Sequence, residues 1–86
     1  MPEISRFYGI VIRMFYNDHS PPHFHAEYGE HEALIDINTL AVIAGELTPR
    51  DLGLVMEWAS LHQNEIISQW EKSRNLQALD KIEPLK

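Results

Sequence analysis

The chain has 86 residues, of which 44% are hydrophobic and 23% charged, and these proportions exclude a disordered segment and indicate a small folded domain. It contains no cysteine, which excludes disulfides and thiol chemistry and leaves metal binding to nitrogen and oxygen ligands. The formal net charge of −6 disfavours direct binding of nucleic acid, because such proteins present a basic surface to the phosphates.

No apolar stretch reaches the ~20 residues of a membrane-spanning helix, and no basic segment followed by an apolar run opens the chain. We therefore expect a cytoplasmic protein with no membrane association, folded as a single domain over residues 1–86. A chain this short buries only about 60 to 65% of its unfolded surface, so its core must be simple.

A strand is predicted over Gly9 to Tyr16, a segment rich in β-branched and aromatic residues. Residues 17–22, which follow, include two adjacent prolines among turn formers, and this predicts a short, stiff connection. From His23 to Asn38, apolar and polar residues alternate on both sides of Gly29, a pattern that predicts a β-hairpin. Its turn is expected at Gly29 and Glu30.

The position of this turn fixes which residues lie opposite each other in the hairpin. One face is then apolar, with pairs such as Phe24 and Ile35. Glu27 would lie opposite Glu32 on the other face, and these like charges cost stability unless a cation offsets them. The remaining pairs predicted on that face are His23 with Asp36 and His25 with Leu34.

A further short strand is expected within Leu40 to Leu47, before a helix predicted from about Pro49 to Ser73. Thr48 is a typical N-cap, with proline in the first turn and an acid three residues on. The fold class is therefore α+β, a small twisted antiparallel sheet of three to five strands packed on one long C-terminal helix. The helix would cover the sheet with a stripe of Leu52, Val55, Met56, Ala59, Ile66 and Trp70.

Three further apolar residues of this helix, Leu54, Trp58 and Leu61, lie outside that stripe and form a second one. Two kinds of cover are open for it. The C-terminal segment, which carries Leu79 and Ile82, can fold back over the helix, or a protein partner or second copy of the chain can dock there. In the latter case the second stripe is a partner interface.

A cluster of histidines and carboxylates lies in the string DHSPPHFHAE, namely Asp18, His19, His23, His25 and Glu27. His23 and His25 are two positions apart on a predicted strand, so their side chains point the same way and can chelate one ion. His19 from the loop and Glu27 from the strand complete the predicted ligand set, which suits a divalent transition metal.

Two other interpretations of the cluster stay open. The histidines and acids can form an ordinary solvated sheet face, with His23 hydrogen-bonded to Asp36. Alternatively, histidine and glutamate side chains can act as acid and base in catalysis. No phosphate-binding glycine loop, G-x-S-x-G elbow or H-E-x-x-H zinc motif is present in the sequence to decide between them.

The stretches RFYGIVIRMFYNDHSPPHFHAEYGEHEALIDI, EWASLHQNEIISQWE and KIEPL resemble the bacterial domain of unknown function 4160 family. The resemblance covers nearly the whole chain, and the run from Asn17 to Gly29 is its most specific part. It implies no catalytic residues, because the family's pattern assigns none. Members of the family resemble small proteins of two-gene, toxin-antitoxin-like systems, which implies a protein partner.

Two functional hypotheses from different classes follow. The first is a protein-interaction or regulatory module, a component of a toxin-antitoxin-like two-gene system, which binds its partner through the second stripe or an exposed sheet edge. The second is a small metal-binding hydrolase or ribonuclease that uses the histidine cluster. The net charge of −6 counts against a ribonuclease.

Overall fold

The computed structural model describes residues 2–16 and 18–86. The described chain forms five strands and then two helices: β1 (Glu3–Phe7), β2 (Ile10–Arg13), β3 (His23–Tyr28), β4 (His31–Asp36), β5 (Val42–Gly45), α1 (Pro49–Leu61) and α2 (Gln63–Arg74). Each strand pairs antiparallel with its neighbours in sequence, giving one sheet of order β1-β2-β3-β4-β5. The predicted α+β class and antiparallel sheet are confirmed. Within these residues, no helix has both the length and the apolar character needed to cross a membrane.

The hairpin of β3 and β4 is confirmed with the predicted register. Its pairs run from Tyr28 and His31 beside the turn to His23 and Asp36 at the far end. Gly29 in the turn has a φ of +59°, a left-handed conformation that glycine adopts at no steric cost. Alternation along the two strands then buries four residues of one face completely, namely Phe24, Ala26, Ala33 and Ile35.

Strand β1 is absent from the sequence prediction because its residues do not alternate between buried and exposed. Ile4 and Ser5 are adjacent and both buried. The register of β1 against β2 shifts between Glu3 and Ser5, and such a bulge disturbs the alternation of side chains. The two-residue period on which a strand prediction depends is lost there.

The helical region differs from the prediction of one long helix, since it breaks into α1 and α2 at His62. This residue has φ −121° and ψ 20°, outside the helical range. The next residue, Gln63, donates its side-chain amide to the backbone oxygens of Ile37 and Asn38, which ties the start of α2 to the loop after β4. A one-residue break leaves the hydrophobic period almost unchanged, so the sequence pattern does not reveal it.

The start of α1 and the main apolar stripe agree with the prediction. Thr48 Oγ1 accepts the backbone N–H of Asp51 at 3.3 Å and donates to Asp51 Oδ2 at 2.8 Å, which caps the helix. The stripe contains four buried residues, Val55, Ala59, Ile66 and Trp70, and two that pack against the core while partly buried, Leu52 and Met56.

The C-terminal segment after α2 folds back over the core, which is the first of the two arrangements expected for the second stripe. Trp58 is fully buried, and its indole N–H donates to the backbone oxygen of Glu83 at 2.8 Å. Ile82 is also buried, and its backbone N–H donates to the backbone oxygen of Ile4 in β1 at 2.7 Å. The segment therefore covers both α1 and the outer edge of β1.

The three residues predicted as a partner interface do not share one exposed surface. Trp58 lies beneath the C-terminal segment, Leu54 is partly buried, and Leu61 alone is largely exposed. The substitution Trp58→Glu would bury an unpaired charge in the core, so it would test folding and not docking.

Gly45, the last residue of β5, occupies a position where β4 and β5 approach closely. Its φ is +71°, and a Cβ atom built there would lie 2.1 Å from the backbone oxygen of Glu32. The adjacent Glu46 donates its backbone N–H to the same oxygen at 3.0 Å. Both the backbone conformation and the lack of space therefore require glycine.

We expect Gly45→Ala to lower the free energy of unfolding by at least about 2 kcal/mol, because a backbone clash adds to the ~1 to 2 kcal/mol cost of left-handed backbone. Gly29→Ala is the matched control, since its φ is +59° but no atom lies within 4 Å of the added Cβ. Urea denaturation of both variants measures the difference. Equal losses of stability would show that the approach of β4 to β5 does not constrain position 45.

Candidate metal centre

The central strand β3 and the loop before it bring three metal-ligating side chains together. His23 and His25 lie on the same side of β3, opposite to Phe24, whose ring packs on Trp58 in the core with centroids 5.8 Å apart. Asp18 reaches them from the loop between β2 and β3. One ligand atom from each of Asp18, His23 and His25 lies within 4.8 Å of the other two.

One carboxylate oxygen of Asp18 faces both histidines. Oδ2 lies 3.1 Å from His23 Nε2 and 3.0 Å from His25 Nε2. The other oxygen, Oδ1, accepts the backbone N–H of His19 at 2.9 Å. The loop backbone therefore holds the carboxylate in place while leaving Oδ2 directed at the two rings.

The surroundings of Asp18 hold its pKa below the usual range of an aspartate. Burial acts to raise this pKa, but the hydrogen bond with His25 lowers it, as do the backbone N–H of His19 and the electrostatic effect of His23 and His25. The lowering effects prevail. The carboxyl group is therefore ionised at neutral pH, which is the form that binds a metal.

The hydrogen bond at Nδ1 determines where the proton of neutral His23 lies. His23 Nδ1 is 2.7 Å from the backbone oxygen of Pro21, and a carbonyl oxygen can only accept, so Nδ1 donates. Neutral His23 therefore carries a lone pair on Nε2, on the side of Asp18. His25 faces a carboxylate at each ring nitrogen, with Nδ1 3.1 Å from Glu32 Oε2 and Nε2 3.0 Å from Asp18 Oδ2. Neutral His25 has one N–H, which donates either to Asp18 or to Glu32, and its Nε2 presents a lone pair when the proton lies on Nδ1 toward Glu32.

His23 Nε2 is a buried polar atom without a hydrogen bond. The side chain is only 5% exposed, and among the described residues this nitrogen has no hydrogen-bond partner. Its 3.1 Å separation from Asp18 Oδ2 is short enough for an ion pair, but the atoms are not aligned for a hydrogen bond. A buried acceptor beside other acceptors is costly unless a proton or a metal cation lies between them.

The separations and the surroundings fit a metal cation. Asp18 Oδ2 lies 3.1 and 3.0 Å from the two ring nitrogens, separations that an ion with ~2.0 to 2.2 Å bonds to nitrogen and oxygen places between its ligands. The bonds at Nδ1 to Pro21 and Glu32 are the outer contacts that commonly orient metal-binding histidines. Aromatic rings flank the two histidines. The ring centroid of Phe15 lies 4.5 Å from that of His25, and the centroid of Trp70 lies 5.4 Å from that of His23. Two imidazoles and one carboxylate suit a divalent transition metal and leave coordination positions open.

The structure brings the two strand histidines together, but it places the other two predicted ligands elsewhere. The side chain of His19 is exposed, and only its backbone N–H contacts Asp18. Glu27 does lie opposite Glu32, yet its carboxylate pairs with Arg13 at 3.1 Å. Arg13 and not a metal therefore offsets the charge of Glu27, and Asp18 supplies the carboxylate of the cluster.

The hydrogen bond between His23 and Asp36, which one of the open interpretations included, does not form. Although the two residues are paired in the sheet, Asp36 Oδ1 accepts the backbone N–H groups of Asn38 and Thr39 at 2.8 and 2.9 Å. The carboxylate is used to close the turn after β4.

Glu32 is the site residue that sequence reasoning missed although a signal for it existed. The predicted register places His25 opposite Leu34, so Glu32 is its diagonal neighbour on the same face, within reach of a long side chain. The role of the Pro21 oxygen carries no such signal, because a backbone oxygen is present at every residue.

These features define a small antiparallel-sheet domain with a histidine and carboxylate cluster beside its central strand. The chain belongs to the family described as Domain of unknown function (DUF4160), whose model matches residues 9–71. That range contains β2 to α1, most of α2 and the three clustered residues. No curated protein and no solved structure matches the chain.

We expect neutral His23 to carry its proton on Nδ1, because the Pro21 oxygen can only accept. Long-range ¹H–¹⁵N correlation spectra of the histidine rings distinguish the two tautomers. His31, which is exposed, is the internal control and should show the Nε2-protonated form that free imidazoles prefer. A proton on Nε2 and a bare Nδ1 in neutral His23 would contradict this assignment.

Proposed function

We propose that this domain binds a divalent transition metal ion through Asp18, His23 and His25. The observation that carries the proposal is the buried Nε2 of His23, which has no hydrogen-bond partner in the described chain and lies 3.1 Å from the carboxylate of Asp18. A cation held by the two Nε2 atoms and Oδ2 would give His23 Nε2 the partner that it otherwise lacks, and would replace the proton between His25 Nε2 and Asp18 Oδ2. The contacts at Nδ1 support the proposal: the bond to Pro21 leaves the Nε2 lone pair of His23 free, and Glu32 can hold the remaining proton of His25 when its Nε2 binds a metal.

A centre with three protein ligands is of the kind that supports chemistry, since structural zinc sites usually have four. The open position can hold a water molecule. A bound metal would lower the pKa of this water toward about 7, so that it loses a proton near neutral pH and becomes a hydroxide nucleophile. Hydrolysis is therefore the class of reaction we propose for the centre. The net charge of −6 favours a small substrate over RNA, because a polyanion would be repelled.

Titration calorimetry of chelator-treated protein with Zn²⁺, Ni²⁺ and Mn²⁺ tests the centre. We expect one ion to bind per chain with micromolar or tighter affinity, and His23→Ala/His25→Ala or Asp18→Asn to weaken binding by at least about 100-fold. Glu32→Ala, which removes only the acceptor at His25 Nδ1, should weaken it by about 10-fold. At a concentration 100 times its Kd, the metal should stabilise the fold by about 2.7 kcal/mol.

Two variants serve as controls for this titration. His31→Ala removes an exposed histidine from β4, and Glu27→Gln removes the carboxylate that pairs with Arg13. Both should bind the metal as the wild type does. Absence of binding to the wild-type protein, or equal binding by the double histidine variant, would refute the metal centre.

A second candidate function, binding of a protein partner, is favoured by the exposed edge strand β5. Its residues are all exposed and include Val42 and Ile43, and within the described chain no strand pairs with its outer side. Unpaired backbone groups on an apolar edge are a template for another strand. We propose that β5 pairs with β5 of a second copy, in an interaction or regulatory role such as that of toxin-antitoxin-like systems.

We expect Ile43→Lys to shift the protein from dimer to monomer in sedimentation equilibrium, because the lysine places like charges across the proposed pair of edge strands. Leu61→Lys is the matched control, since Leu61 is 67% exposed but lies in α1. If only Leu61→Lys abolishes the dimer, the interface lies at Leu61, the exposed residue of the second stripe, and not at β5. A monomeric wild-type protein at all concentrations would rule out pairing between copies.

A further inference from the structure

A polar cleft of about 250 Å³ opens beside the metal centre and is lined by Asp18, His19, Ser20 and Arg74. Asp18 belongs both to the cleft and to the metal centre. The cleft therefore borders the centre on the side of its carboxylate. His19 and Ser20 add hydrogen-bonding side chains from the loop between β2 and β3.

Arg74, the last residue of α2, brings a positive charge to this cleft. Its guanidinium carbon lies 5.9 Å from the centroid of the Trp70 ring, a distance at which a cation is attracted to an aromatic face. Trp70 in turn packs against His23, with centroids 5.4 Å apart. The stacking positions the guanidinium next to the metal centre without using its hydrogen-bond donors.

The donors of Arg74 are available to a ligand. The side chain is exposed, and in residues 2–16 and 18–86 no carboxylate lies within ion-pair distance of it. A guanidinium offers paired N–H groups that match two oxygens of a carboxylate or phosphate. A surface arginine with no ion-pair partner among the described residues, at the side of a cleft, is suited to bind an anion.

The charges around the cleft favour an anion once a metal is bound. A divalent cation exceeds the single negative charge of Asp18, and Arg74 adds another positive charge. The open coordination positions of the metal would accept an oxygen atom as ligand. The chain as a whole is acidic, with a net charge of −6, so a small anion is favoured over a polymer of phosphates.

We infer that the cleft binds a small oxyanion, a phosphate or a carboxylate group, which bridges the metal ion and the guanidinium of Arg74. This inference rests on the proposed metal centre, because one oxygen of the anion is a metal ligand. It names the chemical class of the substrate or product: a molecule with an exposed phosphate or carboxylate. Arg74 is then a binding residue that orients this group.

The test uses Co²⁺, whose visible absorption reports the ligands around it. Co²⁺ binding is measured first, and the Co²⁺-loaded protein is then titrated with inorganic phosphate or with acetate. We expect at least one of the two anions to change the absorption spectrum with saturation, and the tighter of the two identifies the phosphate or the carboxylate class. In Arg74→Ala the anion should bind about 10-fold more weakly while the affinity for Co²⁺ is unchanged.

Arg6→Ala is the matched control, because Arg6 is an exposed arginine that pairs with Glu3 on β1; it should leave anion binding unchanged. Arg74→Lys keeps the positive charge but loses the paired N–H groups of the guanidinium. Its anion affinity should therefore fall between those of the wild type and Arg74→Ala. Failure of Co²⁺ to bind would overturn the metal centre and this inference together. Normal Co²⁺ binding with no response to either anion, or with equal anion binding in Arg74→Ala, would overturn this inference alone.

Discussion

Pairing of β3 with β4 around the turn at Gly29 is the constraint on which the rest of the molecule depends. A strand has a period of two residues, so this register sends Phe24 into the core and turns His23 and His25 to the other side of β3. A shift of one residue would turn the histidines toward the apolar core and turn the core residues away from it. The same pairing that stabilises the fold therefore positions the candidate metal centre, and the sheet cannot keep one without the other.

The chemistry of the centre depends on the hydrogen bonds that its three side chains make with residues outside the cluster. The Pro21 oxygen and the Glu32 carboxylate occupy the Nδ1 atoms of the two histidines, and the His19 backbone occupies one oxygen of Asp18. One ligand atom from each of the three side chains converges on the same space. An internal hydrogen bond joins His25 Nε2 to Asp18 Oδ2, but it leaves His23 Nε2 without a partner among the described residues. Here the geometry favours a cation from outside the chain.

Sequence reasoning recovered those parts of the fold that local pattern determines. The hairpin register followed from alternation and a glycine turn, and the start of α1 followed from Thr48 and its neighbours. The break at His62 did not, since it depends on Gln63 reaching the loop after β4, a contact between residues far apart in sequence. The burial of Trp58 depends in the same way on the C-terminal segment.

The ligand set shows the same division between local and distant information. Strand spacing alone indicated the two histidines of β3. Spacing could not choose between Asp18 and His19 in the loop, because loop side chains follow no period, and it could not show that Arg13 neutralises Glu27. The cation beside the cleft, Arg74, comes from the end of the second helix and lies 49 positions or more from the histidines it approaches.

The two tryptophans of the chain occupy positions that make them separate optical reporters. Trp70 packs against His23 with ring centroids 5.4 Å apart, so a paramagnetic ion in the candidate centre would quench its fluorescence strongly. Trp58 is sealed by the C-terminal segment, to which its indole is hydrogen-bonded, and release of that segment would bring the ring into water and shift its emission to longer wavelengths. Occupancy of the centre and opening of the C-terminal cover can thus be followed in the unlabelled protein, as a change of intensity and a change of colour respectively.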